Sequence, residues 1–434
     1  MANSYLNRTT GSPTNSAIWT LSAWIKRSSL SGSQKFFAAG SSGTDRTEMY
    51  FAGTTGEFYI YRNISGSTIE LGSTRMFRDT SAWYNFVVQN NNGTVAVYVN
   101  GETVSMSNST SLGTNKINNA STAHYIGRQV ADTSQNFDGY MSHVSFVDGS
   151  VVAPTVFGET DSTSGIWKFK SPSGVTWGNN GFHLKFENSG NLGLDSSGQS
   201  NNFTTNGDVK QSLDTPSNVH SVWNVSNPTL PPTVRYGNTE IYTNANSWRS
   251  AFTTLGANTG KWYMEMKWGG GSHLTPGFST MNVPSHNPDF TDIINAANNG
   301  GYPISLYTNG VIYENGSNEG SYGSGTSFSV NDIIMLAMDL DNNKLYWGKN
   351  GTWFNSANPA GNTGGYSIDA NYTSSMFGFA ISVYNTTAQC NFGDGFFGTT
   401  AIASAGSNGN GSLFEYDVPS GFYALNTNNI NTYG

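Results

Sequence analysis

The residues that could do chemistry are few and scattered. Retaining glycoside hydrolysis needs two carboxyl groups about 5 Å apart. A β-strand supplies such a pair when acids alternate along one face. Glu57-Phe, Glu187-Asn and Glu265-Met-Lys each lack a second acid two residues on. No G-x-S-x-G elbow is evident. The single Cys390 has no histidine near it in sequence and lies in a strand-like run beside Phe392, as a buried inert thiol would. His124, His143, His183, His220, His273 and His286 occur singly, with neither HxxxH nor Cys/His spacing, so a zinc site is not expected. No catalytic residue, metal ligand or cofactor is assigned, and the chain reads as a non-enzyme.

Two further strings invite ligand readings. Asp339-Leu-Asp-Asn-Asn343 is dense in the oxygen ligands that Ca²⁺ prefers. A calcium loop of the EF type needs Gly at its sixth position, where Lys344 stands, so a polar hairpin turn is the expectation. Gly269-Gly-Gly271 resembles a phosphate loop, but no G-K-[ST] follows it and no helix starts there. A flexible loop tip between strands is expected.

The elements that position these residues are read from period and composition. The chain has 434 residues, with 36% hydrophobic, 13% aromatic and 11% charged residues, and 51 Gly. Disordered chains combine high charge with few aromatics, so this chain is folded. Trp19, Leu21, Ala23 and Ile25 alternate with Thr20, Ser22 and Trp24. Val95, Val97 and Val99 alternate with Ala96, Tyr98 and Asn100. This period of two marks half-buried strands. Asn100-Gly101 and Asn350-Gly351 sit between such runs and suit type I′ hairpins. No long helical pattern survives, although Asp289–Ala297 could make one or two turns. The fold class is all-β: two antiparallel β-sandwich (jelly-roll) domains in tandem. The prolines between Asp214 and Pro232 cannot donate to a ladder, so a linker is placed at 214–232, between domains at 1–213 (core 1–150) and 233–434.

Charge and hydropathy exclude several classes. With 20 Lys+Arg against 28 Asp+Glu the net charge is −8. Nucleic-acid binding needs a concentrated basic footprint, which is absent. The longest apolar stretch, Asp332–Asp339, is far too short to span a bilayer. The first residues carry neither a basic nor an apolar signal region, so no secretion is expected. Asn7-Arg-Thr, Asn63-Ile-Ser and Asn385-Thr-Thr fit the glycosylation triplet, but in a chain this rich in Asn, Ser and Thr they arise by chance. One cysteine makes no intrachain disulfide.

The first half resembles a laminin-G/concanavalin A-like jelly roll. The residues that carry this are Trp19-Thr-Leu-Ser-Ala-Trp-Ile-Lys26, Trp83-Tyr-Asn-Phe-Val-Val88, Val95-Ala-Val-Tyr-Val-Asn-Gly101, Ile126-Gly-Arg128 and Phe137-Asp-Gly-Tyr-Met-Ser-His-Val144. After it come Gly165-Ile-Trp, Trp177-Gly-Asn-Asn-Gly-Phe182, Leu184-Lys-Phe-Glu187 and Asp195-Ser-Ser-Gly-Gln-Ser-Asn-Asn-Phe203. This order resembles the extension that follows such domains in virion proteins of tailed phages, marine ones especially. The second half resembles a SPRY-type sandwich, on Thr259-Gly-Lys-Trp-Tyr-Met-Glu-Met266, Asp332–Asp341, Lys344-Leu-Tyr-Trp-Gly-Lys-Asn-Gly351 and Asn391-Phe-Gly-Asp394. The tail, Pro419-Ser-Gly-Phe-Tyr-Ala-Leu-Asn426, also recurs beside SPRY-like domains of marine phages.

The resemblance implies a phage virion protein. Lacking heptads, it suits a compact tail-associated or receptor-binding appendage recognising host surface glycan. Its partners would be other virion proteins and a host glycan, as a homo-oligomer in the virion assembled in the host cytoplasm, with no nucleic acid and no membrane insertion. A capsid decoration protein binding only virion proteins and a polysaccharide depolymerase are the alternatives. Related glucanases carry E-x-D-x-x-E on one strand, which is missing here. Laminin-G-like domains can hold Ca²⁺ at one rim, for which Asp45, Asp132 and Asp138 are the acids available. The SPRY resemblance places Trp268 and Tyr322 at ligand loops, so these two are the expected glycan-binding residues.

Overall fold

The computed structural model describes residues 4–53, 55–107, 111–131, 134–224, 231–281, 301–323 and 325–434. The chain divides into two compact units, Met1–Ser217 and Asn218–Gly434. Both are built almost wholly from β-strands. The Asp289–Ala297 segment lies outside the described residues.

In the first unit an eight-stranded sheet runs in the order Met106–Ser107, Ser67–Met76, Glu57–Ile64, Asp45–Phe51, Gln34–Ser42, Ala123–Ile126, Tyr5–Thr9, Thr204–Asn206. A six-stranded sheet runs Phe182–Leu184, Gly139–Asp148, Ile18–Arg27, Tyr84–Asn91, Thr94–Val99, Glu102–Val104. Every pairing in both is antiparallel. Inward residues of the two sheets, among them Trp19, Leu21, Phe36, Phe37, Phe58, Phe86, Val97 and Phe146, share one core.

The strand Ile18–Arg27 is buried on both faces, not on one. The chain from Ser150 to Trp177 covers its outer side. Thr20 Oγ1 donates to Ser150 O, Trp24 Nε1 lies 3.4 Å from Phe157 O, and Trp24 meets Phe169 edge-on. Val87, Val147 and Phe157 form a second small core there. In contrast, Thr94–Val99 keeps the clean alternation that its sequence shows.

The stretch after residue 150 therefore completes the sandwich. It gives Phe182–Leu184 to one sheet and Thr204–Asn206 to the other. Its Asp195-Ser-Ser-Gly-Gln-Ser-Asn-Asn segment is a turn organised by one carboxylate. Asp195 accepts the backbone N–H groups of His183, Ser197 and Asn201, and the Ser197 hydroxyl. Asp148 is a second buried knot, accepting from the backbones of Thr14, Asn15 and Asn180 and from the Asn118 amide. The segment expected as a linker is divided. Asp214 is buried in the first unit against Lys26, at 2.6 Å, and accepts from Trp83 Nε1. Trp223 is buried in the second unit and pairs with Thr253. Residues 225–230 lie outside the described residues.

In the second unit hydrogen bonding joins fourteen strands into a single sheet. Two strands cause this: Lys261–Thr280, of 20 residues, and Phe377–Asn391, of 15. They pair with each other along most of their length. The first half of Lys261–Thr280 also pairs with Ile333–Asp339, and its far end pairs with Ile304–Leu306. The sheet folds back on itself. Trp347, on the strand beyond Ile333–Asp339, donates to Pro276 O and packs edge-on against Phe278, at the far end of the same long strand. The core lies inside this fold.

Gly269-Gly-Gly271 lies within Lys261–Thr280 and is no loop tip. The register shifts between Trp268 and Gly270, and Gly270 and Gly271 have φ of 123° and 113°. A Cβ on Gly271 would sit 2.2 Å from Asn385 O. The glycines let a paired strand bulge and turn, which is why no loop was needed. Both Asn-Gly pairs have positive φ at both residues, as type I′ hairpins require. A short helix, Thr427–Tyr433, closes the chain, capped by the Asn426 side chain on Asn429 N.

Candidate functional site

Trp268 and Tyr322 each expose only 5% of their surface and belong to the hydrophobic core. Trp268 Nε1 donates to Thr386 Oγ1 at 2.7 Å, and its ring meets Phe328 edge-on. The Tyr322 hydroxyl donates to Gly364 O at 2.9 Å, and its ring packs against Trp347. Neither ring offers a sugar an open face. Period-two alternation puts Trp268 inward on its strand, together with Met264 and Met266.

Among the described residues the acids form no ligand cage: no group of three or more His, Cys, Asp or Glu could hold a metal ion. Asp45 is paired with Lys116 at 2.6 Å and accepts from Ser41, and these bonds hold its carboxyl below the usual range. Burial raises that of Asp138, and Asp132 lies outside the described residues. Asp339–Asn343 is a turn between two strands: Asp339 pairs with Lys261 at 2.9 Å, and Asp341 accepts from Gly260 N.

Cys390 is fully buried and accepts from Trp223 Nε1 at 3.2 Å, and burial pushes its thiol far up. Glu265 is the carboxylate raised furthest among the described residues, pushed up to about 7 by burial. Such a shift marks a candidate general acid. Its geometry marks a structural group instead. It has no exposed surface, and it accepts from the backbones of Glu415 and Tyr416 and from the Tyr263 hydroxyl. No substrate reaches it. His143 Nδ1 and His183 Nε2 are 3.2 Å apart, with His143 stacked on Phe169. Burial lowers these histidines to about 3 and about 4. His286 lies outside the described residues.

What the second unit does assemble near its surface is a patch of aromatic rings. His273 and Tyr384 stand directly opposite each other on the two long strands, with ring centroids 5.7 Å apart. Trp248 precedes the strand Arg249–Thr253, whose Arg249 pairs with Val383, so its ring falls beside Tyr384 at 5.4 Å. Tyr307 stacks on His273 at 5.6 Å, with its hydroxyl 3.0 Å from Nδ1. Trp248 also meets His273 and Tyr307, and Tyr313 extends the patch beyond Tyr307. All five rings are half-buried. Beside them the exposed Asn385 amide donates to Asn246 Oδ1 at 3.1 Å. Asn385 has φ of 43°, a left-handed turn position that asparagine tolerates.

The patch is poor in charge, and its unit repels anions. Residues 218–434 hold 6 Lys+Arg against 13 Asp+Glu, while residues 1–217 hold 14 against 15. Aromatic faces cover the apolar face of a sugar, and amides bond its hydroxyls.

Residues 2–157 match the family described as the concanavalin A-like lectin/glucanases superfamily. No curated protein matches the chain. Solved structures similar to it include a native heptameric SAP-like pentraxin from Limulus polyphemus, 16% identical, covering 40% of this chain and 82% of that one, with a TM-score of 0.31. The SPRY domain of human HERC1 is 13% identical, covering 39% and 96%, with a TM-score of 0.29. The TRIM65 PSpry domain is 11% identical, covering 39% and 90%, with a TM-score of 0.28.

Proposed function

We propose that this chain is a non-enzymatic glycan-recognition protein, carried as a compact appendage of a phage virion and turned toward a neutral host-surface glycan. The observation that carries the binding role is the Trp248–Tyr384–His273–Tyr307 patch with the Asn246–Asn385 amides beside it. The family matched by residues 2–157 takes in lectins and glucanases alike, which is compatible with binding. No E-x-D-x-x-E run occurs in the sequence, which favours binding over hydrolysis. The virion role rests on the order of the Trp177–Phe182, Asp195–Phe203 and Pro419–Asn426 motifs.

The test is a glycan array probed with the full chain and with Trp248→Ala and Tyr384→Ala variants. Binding of a neutral glycan by the parent, weakened at least tenfold in both variants, is expected. A parent that binds no glycan, or variants that bind unchanged, would reject the reading. A reducing-sugar assay on the bound glycan should stay flat, and product would turn the reading to a depolymerase. Immunogold labelling of intact particles checks the virion role.

A further inference from the structure

The second unit has a concavity of about 550 Å³, lined among others by Lys349, Asn350, Thr352, Trp353, Asn355 and Ser356. It lies at the Asn350-Gly351 hairpin and none of its lining residues belongs to the aromatic patch.

Its walls are held from behind. Asn350 donates to Asp332 and accepts from Ile333 N, which fixes the hairpin. Phe354 is buried in the main core. Trp353 is wedged edge-on between Tyr263 and Tyr346, with both centroids at 6.3 Å, and stays half-buried. Asn355 Nδ2 donates to Gly364 O at 3.0 Å. Asn355 and Ser356 are consecutive non-glycine residues with positive φ, 54° and 49°. Two such residues in a row are costly, and strain of this kind gathers at binding sites.

The chemistry inside is hydroxyl and amide against one indole. The hydroxyls of Thr352 and Ser356 have no hydrogen-bond partner among the described residues, and both residues are exposed. Lys349 supplies the cation, but Ser327 O accepts from it at 2.8 Å and Asp332 lies 3.7 Å away. With that charge answered inside the protein, an anion gains little here. A small neutral ring with several hydroxyls matches what remains: one apolar face for Trp353 and donors and acceptors for the rest.

We propose that this concavity is a second sugar site, taking a single neutral pyranose and acting independently of the aromatic patch. The inference does not rest on the reading given to the patch. It is tested by saturation-transfer NMR on the full chain, with the methyl glycosides of glucose, galactose, mannose and N-acetylglucosamine as probes. At least one probe should receive saturation from the Trp248→Ala variant, in which the aromatic patch is impaired. In that background the signal should fall at least fivefold on adding Trp353→Ala or the Thr352→Val/Ser356→Ala double variant. The double variant changes only exposed side chains, so it keeps the test open should Trp353→Ala misfold. The proposal fails if no probe receives saturation from the Trp248→Ala chain or if, in that background, the signal survives the double variant.

Discussion

Glu265 accepts the backbone N–H of Tyr416 at 2.8 Å, across 151 residues of chain. Its other oxygen accepts Glu415 N at 2.8 Å. One buried carboxylate thus ties the segment at Glu415–Tyr416 to the first half of a central strand.

This carboxylate makes the second unit sensitive to pH. Glu265 rises from 4.5 to about 7 on folding, because burial outweighs its donors. The folded unit holds a proton that the unfolded chain releases between those values. The stability it contributes is present below pH 4.5 and is lost as the pH rises through 7, at about 1.4 kcal/mol per pH unit in that window. Urea unfolding of the second unit should show lower stability at pH 7 than at pH 5, and Glu265→Gln should remove that slope.

The first unit should respond in the opposite direction. Burial lowers His124 to about 4, His143 to about 3 and His183 to about 4, from 6.5. Their neutral forms are favoured by folding. The stability they contribute is present above pH 6.5 and is lost as the pH falls toward 4. Calorimetry of the full chain should show two transitions between pH 7 and pH 5. The one belonging to the first unit should fall on acidification and the other should rise. Two transitions that both fall would contradict the Glu265 assignment, and two that both rise would contradict the histidine one.

Lys26 and Asp214 form an ion pair with side chains 1% and 0% exposed. Asp214→Ala leaves a buried ammonium without its carboxylate and should cost about 3–5 kcal/mol. A Lys26→Met/Asp214→Leu double variant should recover most of that loss. Denaturant unfolding followed at Trp83, which donates to the same carboxylate, reads both.

Gly271→Ala should destabilise the second unit by about 2–4 kcal/mol. Its φ is 113°, and the new Cβ would meet Asn385 O at 2.2 Å, within the ladder between the two long strands. A thermal midpoint equal to the parent's would show that the strand bulges without help from glycine.

Much of the fold was legible in the sequence, because strands with one wet face advertise themselves. Val95, Val97 and Val99 point inward and their neighbours do not. Ile18–Arg27 shows the same alternation but is covered on both sides, since its cover comes from residues 150–177 and no local pattern reports it. The aromatic patch was illegible for a related reason. Trp248, His273, Tyr307 and Tyr384 lie on four separate segments, and only the register of the long strands brings them together. The SPRY resemblance set Trp268 and Tyr322 at ligand loops, while their side chains point into the core. The final helix, Thr427–Tyr433, has no apolar period. Its cap on Asn426 and the stacking of Tyr433 on Tyr423 at 3.8 Å hold it.

The two long strands shared by both layers also set how the second unit can be made. One edge of Lys261–Thr280 takes Ile304–Leu306 and Ile333–Asp339, but its other edge leaves the ribosome about a hundred residues before its partner, Phe377–Asn391. Its ladder is finished only when Tyr423 and Ala424 pair beside Trp262 and Tyr263. A chain cut short before residue 377 therefore carries that edge bare from Glu265 to Thr280. Such an edge recruits other copies. Translation must pass residue 424 before the second unit is safe from aggregation.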